Sequence, residues 1–169
     1  MEQSKQGDRK AQYELYGLYV DAMFNIGMRM LCSREDAEDV IQDSFIDAFR
    51  NLESFRYEST FGSWLKRIVI NKCINHINKK RVETKPLEDH DYRLHVVEEE
   101  VRSDDQYEIE RVKAGITQLT DGYREIITLY LIEGYDHREI SSILNISEGT
   151  SKSQYHRAKK KLLEILKSA

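Results

Sequence analysis

Proline is almost missing from this chain: there is one, Pro86, in 169 residues, and the eight glycines are also few. A turn-rich β architecture needs more of both, so the shortage argues against an all-β fold and leaves long helices uninterrupted. No run approaches the roughly 18 apolar residues of a membrane span. Met1 to Lys10 is polar and lacks the apolar centre of a signal peptide. These absences predict a cytoplasmic protein with no membrane insertion. Cysteine is scarce too. Cys32 and Cys73 stand alone among apolar neighbours, without CxxC spacing. Two buried thiols fit that pattern better than a disulfide or a metal pair. There is no phosphate-cradling Gly-rich loop, no metal-spaced His/Cys set and no serine nucleophile elbow. His76, His90, His95, His137 and His156 are scattered without ligand spacing. The chain is therefore expected not to be an enzyme and to carry neither metal nor cofactor.

What is present is charge and helical periodicity. Charged residues make up 33% of the chain and hydrophobic ones 40%, as in a folded, helix-rich protein of one domain or two small ones. The net charge of −4 conceals a segregation. Residues 66–85 hold Lys66, Arg67, Lys72, Lys79, Lys80, Arg81 and Lys85 against Glu83 alone. The C-terminal stretch holds Lys152, Arg157, Lys159, Lys160, Lys161 and Lys167 against Glu164. Most of the excess acid lies between them, from Glu88 to Glu110. Clustered cations of this kind are the footprint of a nucleic-acid-binding protein, whatever the sum.

Apolar residues recur at three-to-four spacing in Tyr16, Val20, Met23, Gly27, Met30 and Leu31, the period of one helix face. Ser33 then reads as the cap of a second helix, with Glu35 and Asp36 at the positive end of its dipole. Its stripe is Ala37, Val40, Ile41, Ser44, Phe45, Ala48, Phe49 and Leu52. A loop over 53–60 leads to a third helix with Phe61, Trp64, Leu65, Ile68, Val69, Cys73 and Ile77 on its apolar side. Periodicity is lost over 82–105, a flexible acidic linker that contains Pro86. It returns with Ile109, Val112, Ile116 and Leu119, then Tyr123, Ile126, Ile127, Tyr130 and Leu131. The expected class is all-α: two small helical domains, 1–81 and 106–169, joined by that linker.

Residues 136–169 read as a helix-turn-helix. A first helix over about 137–144 places Ile140, Ile143 and Leu144 inward. Asn145 tolerates the left-handed conformation of a tight turn. Ile146 plugs the angle, and Ser147 caps a second helix with Tyr155, Ala158, Leu162, Ile165 and Leu166 inward. In this motif the N-terminal part of the second helix enters the major groove, which directs Lys152, Ser153, His156 and Arg157 toward bases or phosphates. A plain helical hairpin with a solvated basic face is the blander reading.

In the third helix, Arg67, Asn71, Asn75 and Asn78 share the face opposite the apolar stripe. Asn carries donor and acceptor, so it can read an exposed base edge. Phe55, Tyr57, Phe61 and Trp64 lie in or beside the preceding loop, and aromatics next to cations suit single-stranded DNA. Phe61 and Trp64 equally suit the core. On the second helix the acids Glu35, Asp36, Glu38, Asp39, Asp43 and Asp47, with Gln42, form either a solvated face or a docking surface.

Together these segments resemble a bacterial RNA polymerase sigma factor of the extracytoplasmic-function (ECF) group of the sigma-70 family. Residues 36–45, Asp-Ala-Glu-Asp-Val-Ile-Gln-Asp-Ser-Phe, are similar to the core-binding helix of region two. Residues 55–65, continuing into 67–71, resemble its promoter-melting segment. Gly134-Tyr135, Glu139-Ile140, residues 146–150, Lys152-Ser153 and His156-Arg157-Ala158 resemble region four. The resemblance implies that Asp39, Gln42, Asp43 and Phe45 dock on the clamp helices of the polymerase β′ subunit, with further contacts to the β subunit. It implies that Asn71, with Arg67 and Asn75, captures a flipped base of the minus-ten element while Phe55, Tyr57, Phe61 and Trp64 help hold the melted strand. Lys152, Ser153, His156 and Arg157 would contact the minus-thirty-five element, and the linker would thread toward the RNA exit path. Promoter DNA and core polymerase are the implied partners, and many relatives also take an anti-sigma factor. The chain departs from the family's pattern at Ser141 and Ser151, where apolar residues are usual, and at Gln154, where Arg is common. The rival readings are a helix-turn-helix regulator with a helical sensing domain, a sigma-like decoy that only binds proteins, and an enzyme of nucleic-acid metabolism.

Overall fold

The computed structural model describes residues 1–83 and 104–168. Its regular elements among these residues are helical, as the sequence predicts. The chain divides into two compact units, Met1–Lys85 and Pro86–Ala169. Most of the expected linker lies outside the described residues. At its margins, Val82 and Glu83 end one helix and Asp104 and Asp105 begin another.

The first unit contains α1 (Glu2–Lys5), α2 (Arg9–Leu31), α3 (Arg34–Arg50), a 3-10 turn (Leu52–Ser54) and α4 (Phe61–Glu83). The polar N-terminus gives no periodic signal for α1, and α2 begins well before the first residue of its apolar stripe. The reason is a cap: the Asp8 carboxylate accepts from the amides of Lys10 at 2.8 Å and Ala11 at 3.1 Å. At the other end Cys32 takes a left-handed conformation, φ 53°, and its amide donates to the Met28 carbonyl. Ser33 immediately caps α3, its hydroxyl accepting from the Asp36 amide at 3.2 Å. Two residues thus reverse the chain. The helices then approach closely where Gly27 faces Ala37: a Cβ on Gly27 would stand 3.4 Å from that of Ala37.

Helix α4 packs on both α2 and α3. Its buried residues are Phe61, Leu65, Val69, Ile70, Cys73, Ile74 and Ile77. The sequence stripe lacks Ile70 and Ile74 and includes Trp64 and Ile68, which are only half-buried. A helix seated in the groove between two others buries a wider arc than a single stripe. Gly62, at its first turn, has a steric duty: a Cβ there would lie 2.8 Å from the Tyr19 ring, which is itself held edge-on to Phe61.

The second unit contains α5 (Asp104–Thr117), α6 (Asp121–Ile127), a π-helical turn (Thr128–Ile132), α7 (His137–Leu144) and α8 (Glu148–Ser168). Ile116, Leu119, Ile127, Ala158 and Leu162 form its core, with Tyr123, Tyr155, Ile165 and Leu166 against it. Ile109 and Val112, part of the expected stripe of α5, are exposed. Arg124 is buried beside this core and ties off the end of α5. Its guanidinium donates to the Leu119 carbonyl at 2.7 Å and to the Asp121 carboxylate. The π turn inserts one residue, so the Glu133 amide donates to the Thr128 carbonyl five residues back, and Gly134, φ +77°, ends it.

The two thiols differ. Cys32 is half-buried at its turn, whereas Cys73 is buried in α4 and its thiol is pushed up to about 12 by desolvation. At pH 8 such a thiol is roughly one part in ten thousand thiolate, the reactive form. Native protein titrated with a thiol reagent at that pH should therefore leave Cys73 unlabelled over hours, and guanidinium should expose it. Rapid native labelling at Cys73, located by peptide mass, would contradict the packing described.

Candidate nucleic-acid and polymerase interfaces

Helix α4 presents its polar side as the sequence spacing predicts. Arg67, Asn71, Asn75 and Asn78 are all exposed. Their direction is set by burial on the opposite side, where Leu65, Val69 and Cys73 are fully enclosed. Arg67, Asn71 and Asn75 make no side-chain hydrogen bond or ion pair among the described residues. Donors and acceptors left in water are available to a ligand without first breaking an internal contact. Lys72, counted in the basic patch, is committed elsewhere: it pairs with Asp47 of α3 at 2.7 Å and holds that carboxyl below its usual range.

The aromatic residues before α4 separate into two kinds. Phe55 and Phe61 are buried, and Trp64 is half-buried beside them, 5.3 Å from Phe55 and 5.8 Å from Phe61 between ring centroids. They form a small aromatic platform rooted in the core. Tyr57 is different, with half of its surface exposed (51%) and its ring 4.8 Å from Phe55. Its backbone is left-handed, φ 60°, an uncommon state for a bulky residue.

On α3 the acids also divide. Asp36 turns toward α4, reaching His76 and Lys80, each at 3.3 Å, and Asp47 takes Lys72. Glu38 pairs with Arg34 along the helix. Asp39, Gln42 and Asp43 are exposed and have no side-chain partner among the described residues. Phe45, grouped with them in the sequence reading, points the other way. It is buried at 3% exposure, against Tyr16 at 4.7 Å and Phe49 at 5.9 Å. In this chain Phe45 seats the helix, and the exposed surface belongs to its polar neighbours.

The helix-turn-helix has the expected elements. Asp136 and Glu139 form a reciprocal capping box at the start of α7. Asn145 ends α7 in a left-handed conformation, φ 53° and ψ 48°. Ser147 caps α8 by accepting from the Thr150 amide at 3.0 Å. Lys152, Ser153, His156 and Arg157 are all exposed on the first half of α8, while Ala158 and Leu162 are buried.

Ser151, one of the two departures from an apolar pattern, is fully buried and shares a hydrogen bond of 3.0 Å with His137 Nδ1. The His137 ring stacks on Tyr130, 4.6 Å away, and meets Tyr155 at 5.7 Å. A polar pin replaces an apolar contact between the two helices of the motif. Neither this pin nor the buried Arg124 and Glu125 was expected from the sequence. The available signal was a charged pair, Arg-Glu, inside the run from Tyr123 to Ile127. Among the described residues no group of three His, Cys, Asp or Glu side chains converges as a metal site would need.

A two-unit helical chain, with a polar helix face behind an aromatic platform and a helix-turn-helix at its C-terminus, defines a class of transcription protein. Family models agree: residues 15–83 match "Sigma-70 region 2" and residues 109–162 match "Sigma-70, region 4". The chain is 32% identical to the ECF RNA polymerase sigma factor SigW of Bacillus subtilis, over 99% of this chain and 95% of that protein. It is 31% identical to the ECF RNA polymerase sigma-E factor of Haemophilus influenzae, over 94% of this chain and 89% of that one. Among solved structures, the sigma factor RpoE in complex with the anti-sigma factor NepR from Bartonella quintana shares the fold. It has a TM-score of 0.67 and 23% identity, covering 94% of this chain and 98% of that one. CnrH, in complex with the cytosolic domain of CnrY, gives a TM-score of 0.57 at 26% identity, covering 98% and 94%. The chain belongs to the ECF group of sigma-70 RNA polymerase sigma factors, and promoter-specific transcription initiation is the function of that family.

One feature of α8 modulates any contact it makes. The Lys152 ammonium is held by Glu148, one turn earlier, at 2.6 Å, and Glu148 is kept below the usual carboxylate range mainly by that hydrogen bond. A cation already paired contributes less to phosphate binding. Glu148→Gln should therefore tighten duplex binding by the holoenzyme at low salt and steepen the log K against log salt slope by roughly one. Adding Lys152→Ala should abolish the gain; a gain that persists without Lys152 would show that the pair does not govern binding.

Proposed function

We propose that the chain opens promoters by a division of labour among three surfaces. Asp39, Gln42 and Asp43 dock on the clamp helices of the β′ subunit of core RNA polymerase, with further contacts to the β subunit. Lys152, Ser153, His156 and Arg157 read the minus-thirty-five element in the major groove. Arg67, Asn71 and Asn75 capture the minus-ten element as it unpairs, with Tyr57 and the platform of Phe55, Phe61 and Trp64 against the released strand. The two small helical domains act on the two elements. An anti-sigma factor is a further proposed partner, since the similar sigma factor RpoE was solved in complex with the anti-sigma factor NepR.

The observation that carries this reading is the unpartnered amide of Asn71 on the exposed face of α4, one helix turn from Arg67 and two turns along the same helix from Trp64 of the aromatic platform. Extracting a base from the stack costs a few kcal/mol, and a pocket must offset it with hydrogen bonds. An amide offers a paired donor and acceptor for that purpose. An ordinary helix-turn-helix regulator has no use for such a face.

Asn71→Ala is expected to leave core binding and upstream recognition intact and to impair strand opening, measured as permanganate reactivity of thymines near the start site. A pre-melted template should restore opening without restoring base preference. Opening of duplex promoters at the wild-type level, with unchanged preference, would make Asn71 a solvated helix residue.

Docking is tested separately. Asp39→Lys with Gln42→Lys should weaken the complex with core polymerase and leave the helical circular-dichroism signal unchanged, since both side chains are in water in the free chain. Wild-type affinity of that variant for core would remove α3 from the interface.

A further inference from the structure

The short helix α1 lies against the aromatic loop. Its Lys5 ammonium donates to the Phe55 carbonyl at 2.7 Å and stands over the Tyr57 ring, 4.3 Å from the centroid. The Tyr57 hydroxyl donates to the Glu2 carboxylate, and that bond keeps the phenol protonated by pushing its titration upward. Helix α1 is itself secured. Ser4 is buried, and Gln12 of α2 donates through its side-chain amide to the Ser4 carbonyl at 3.0 Å. Gly7, φ +84°, makes the turn between the two helices. Met1 to Lys5 thus bridges α2 and the loop.

These contacts converge on the residue whose backbone most needs them. A tyrosine at φ 60° is costly and persists only where its surroundings over-determine it. Here the Lys5 cation, the Glu2 carboxylate and the Phe55 ring all bear on Tyr57, yet half its surface faces water. A side chain held this firmly and still exposed is set up to meet a ligand without further ordering, which spares the entropy of fixing it on binding.

We propose that Glu2 and Lys5 are positioning residues for promoter opening: they latch the loop so that Tyr57 is presented, pre-ordered, to the unpaired strand. The proposal rests on the assignment of that loop to strand holding. Neither Glu2 nor Lys5 touches the DNA; they set downstream base preference through Tyr57. The cation–π and carbonyl contacts of Lys5 orient the loop, and the Glu2 hydrogen bond fixes the ring.

The test uses holoenzyme on promoters substituted singly through the downstream element, with open complexes read by permanganate. Lys5→Ala and Tyr57→Ala should each flatten preference at the same position, by roughly three- to tenfold, the scale of one hydrogen bond. The double variant should be no worse than Tyr57→Ala, and Lys5→Arg, which keeps cation and donor, should restore much of the preference. Amide exchange at residues 55–58 of the free chain should quicken in Lys5→Ala while thermal unfolding of the first unit is unchanged. If Tyr57→Ala alters preference and Lys5→Ala and Glu2→Ala do not, the latch is wrong and the loop assignment stands. If Tyr57→Ala itself leaves the profile unchanged, both fall. Additive losses in the double variant would mean that Lys5 meets the DNA directly, which also overturns the proposal.

Discussion

The burial of one side of α4 is the constraint on which the first unit depends. Leu65, Val69, Ile70 and Cys73 have no solvent exposure. Each large aliphatic enclosed there contributes about 1.5–3 kcal/mol relative to exposure. The ion pairs between α3 and α4 lie partly open to solvent, where screening and the entropy of fixing two long side chains leave little net stabilisation. Packing, not pairing, therefore sets the rotation of α4 about its axis. Once that rotation is fixed, Arg67, Asn71 and Asn75 have only one direction to point. The same packing brings Phe61 and Trp64 under the loop, because both lie in the first turn of the buried side. Exposed polar face and aromatic platform are two consequences of one helix being seated between two others.

The second unit solves a comparable problem with polar parts. Its aliphatic core is small, so the joints are held by specific hydrogen bonds. Arg124, almost wholly enclosed, binds the Leu119 carbonyl and a carboxylate of its own helix, and so closes the corner between α5 and α6. Buried charge is tolerated only when satisfied in this way, and removing a partner strands the rest. The bond between His137 and Ser151 does similar work between α7 and α8. An apolar pair at that joint would hold the helices together but would leave sliding less restricted; a hydrogen bond with direction narrows the geometry at which the motif can sit.

The helices that carry long apolar periodicity were legible in the sequence, and so were two of their caps. Ser33 and Ser147 announce helix starts by chemistry that acts within three residues. The polar face of α4 followed from spacing alone. What was not legible depends on contacts between distant segments. Phe45 sits in a motif with Asp39, Gln42 and Asp43, but only packing against Tyr16 shows that it faces inward. Phe55 reads as a loop residue and is nevertheless a core residue, because the loop folds over α4. Helix α1 has no periodic signal, being polar and one turn long, and its contact with Tyr57 spans 55 positions. The π turn at Thr128–Ile132 has no residue code that periodicity could detect.

Charge shows why surface composition alone misleads. The chain carries 26 Lys and Arg against 30 Asp and Glu, yet much of that charge is spoken for in the free protein. Lys72 and Lys80 face Asp47 and Asp36, and Lys152 faces Glu148. Among the described residues Asp39 and Asp43 on α3, Arg67 on α4 and Arg157 on α8 are exposed and make no side-chain ion pair, as is also true of other surface charges such as Lys159 and Lys160. Internal pairing thus engages some charges, Lys152 of the proposed reading surface among them, and leaves Asp39, Asp43, Arg67 and Arg157 open. The excess of acid also bears on order of assembly. Affinity for duplex DNA comes largely from phosphate neutralisation, and a chain with net charge −4 supplies little of it alone. The same acid favours a basic protein surface first. A sigma factor balanced in this way should meet polymerase before promoter, so that its cations act where the enzyme has already brought the DNA close.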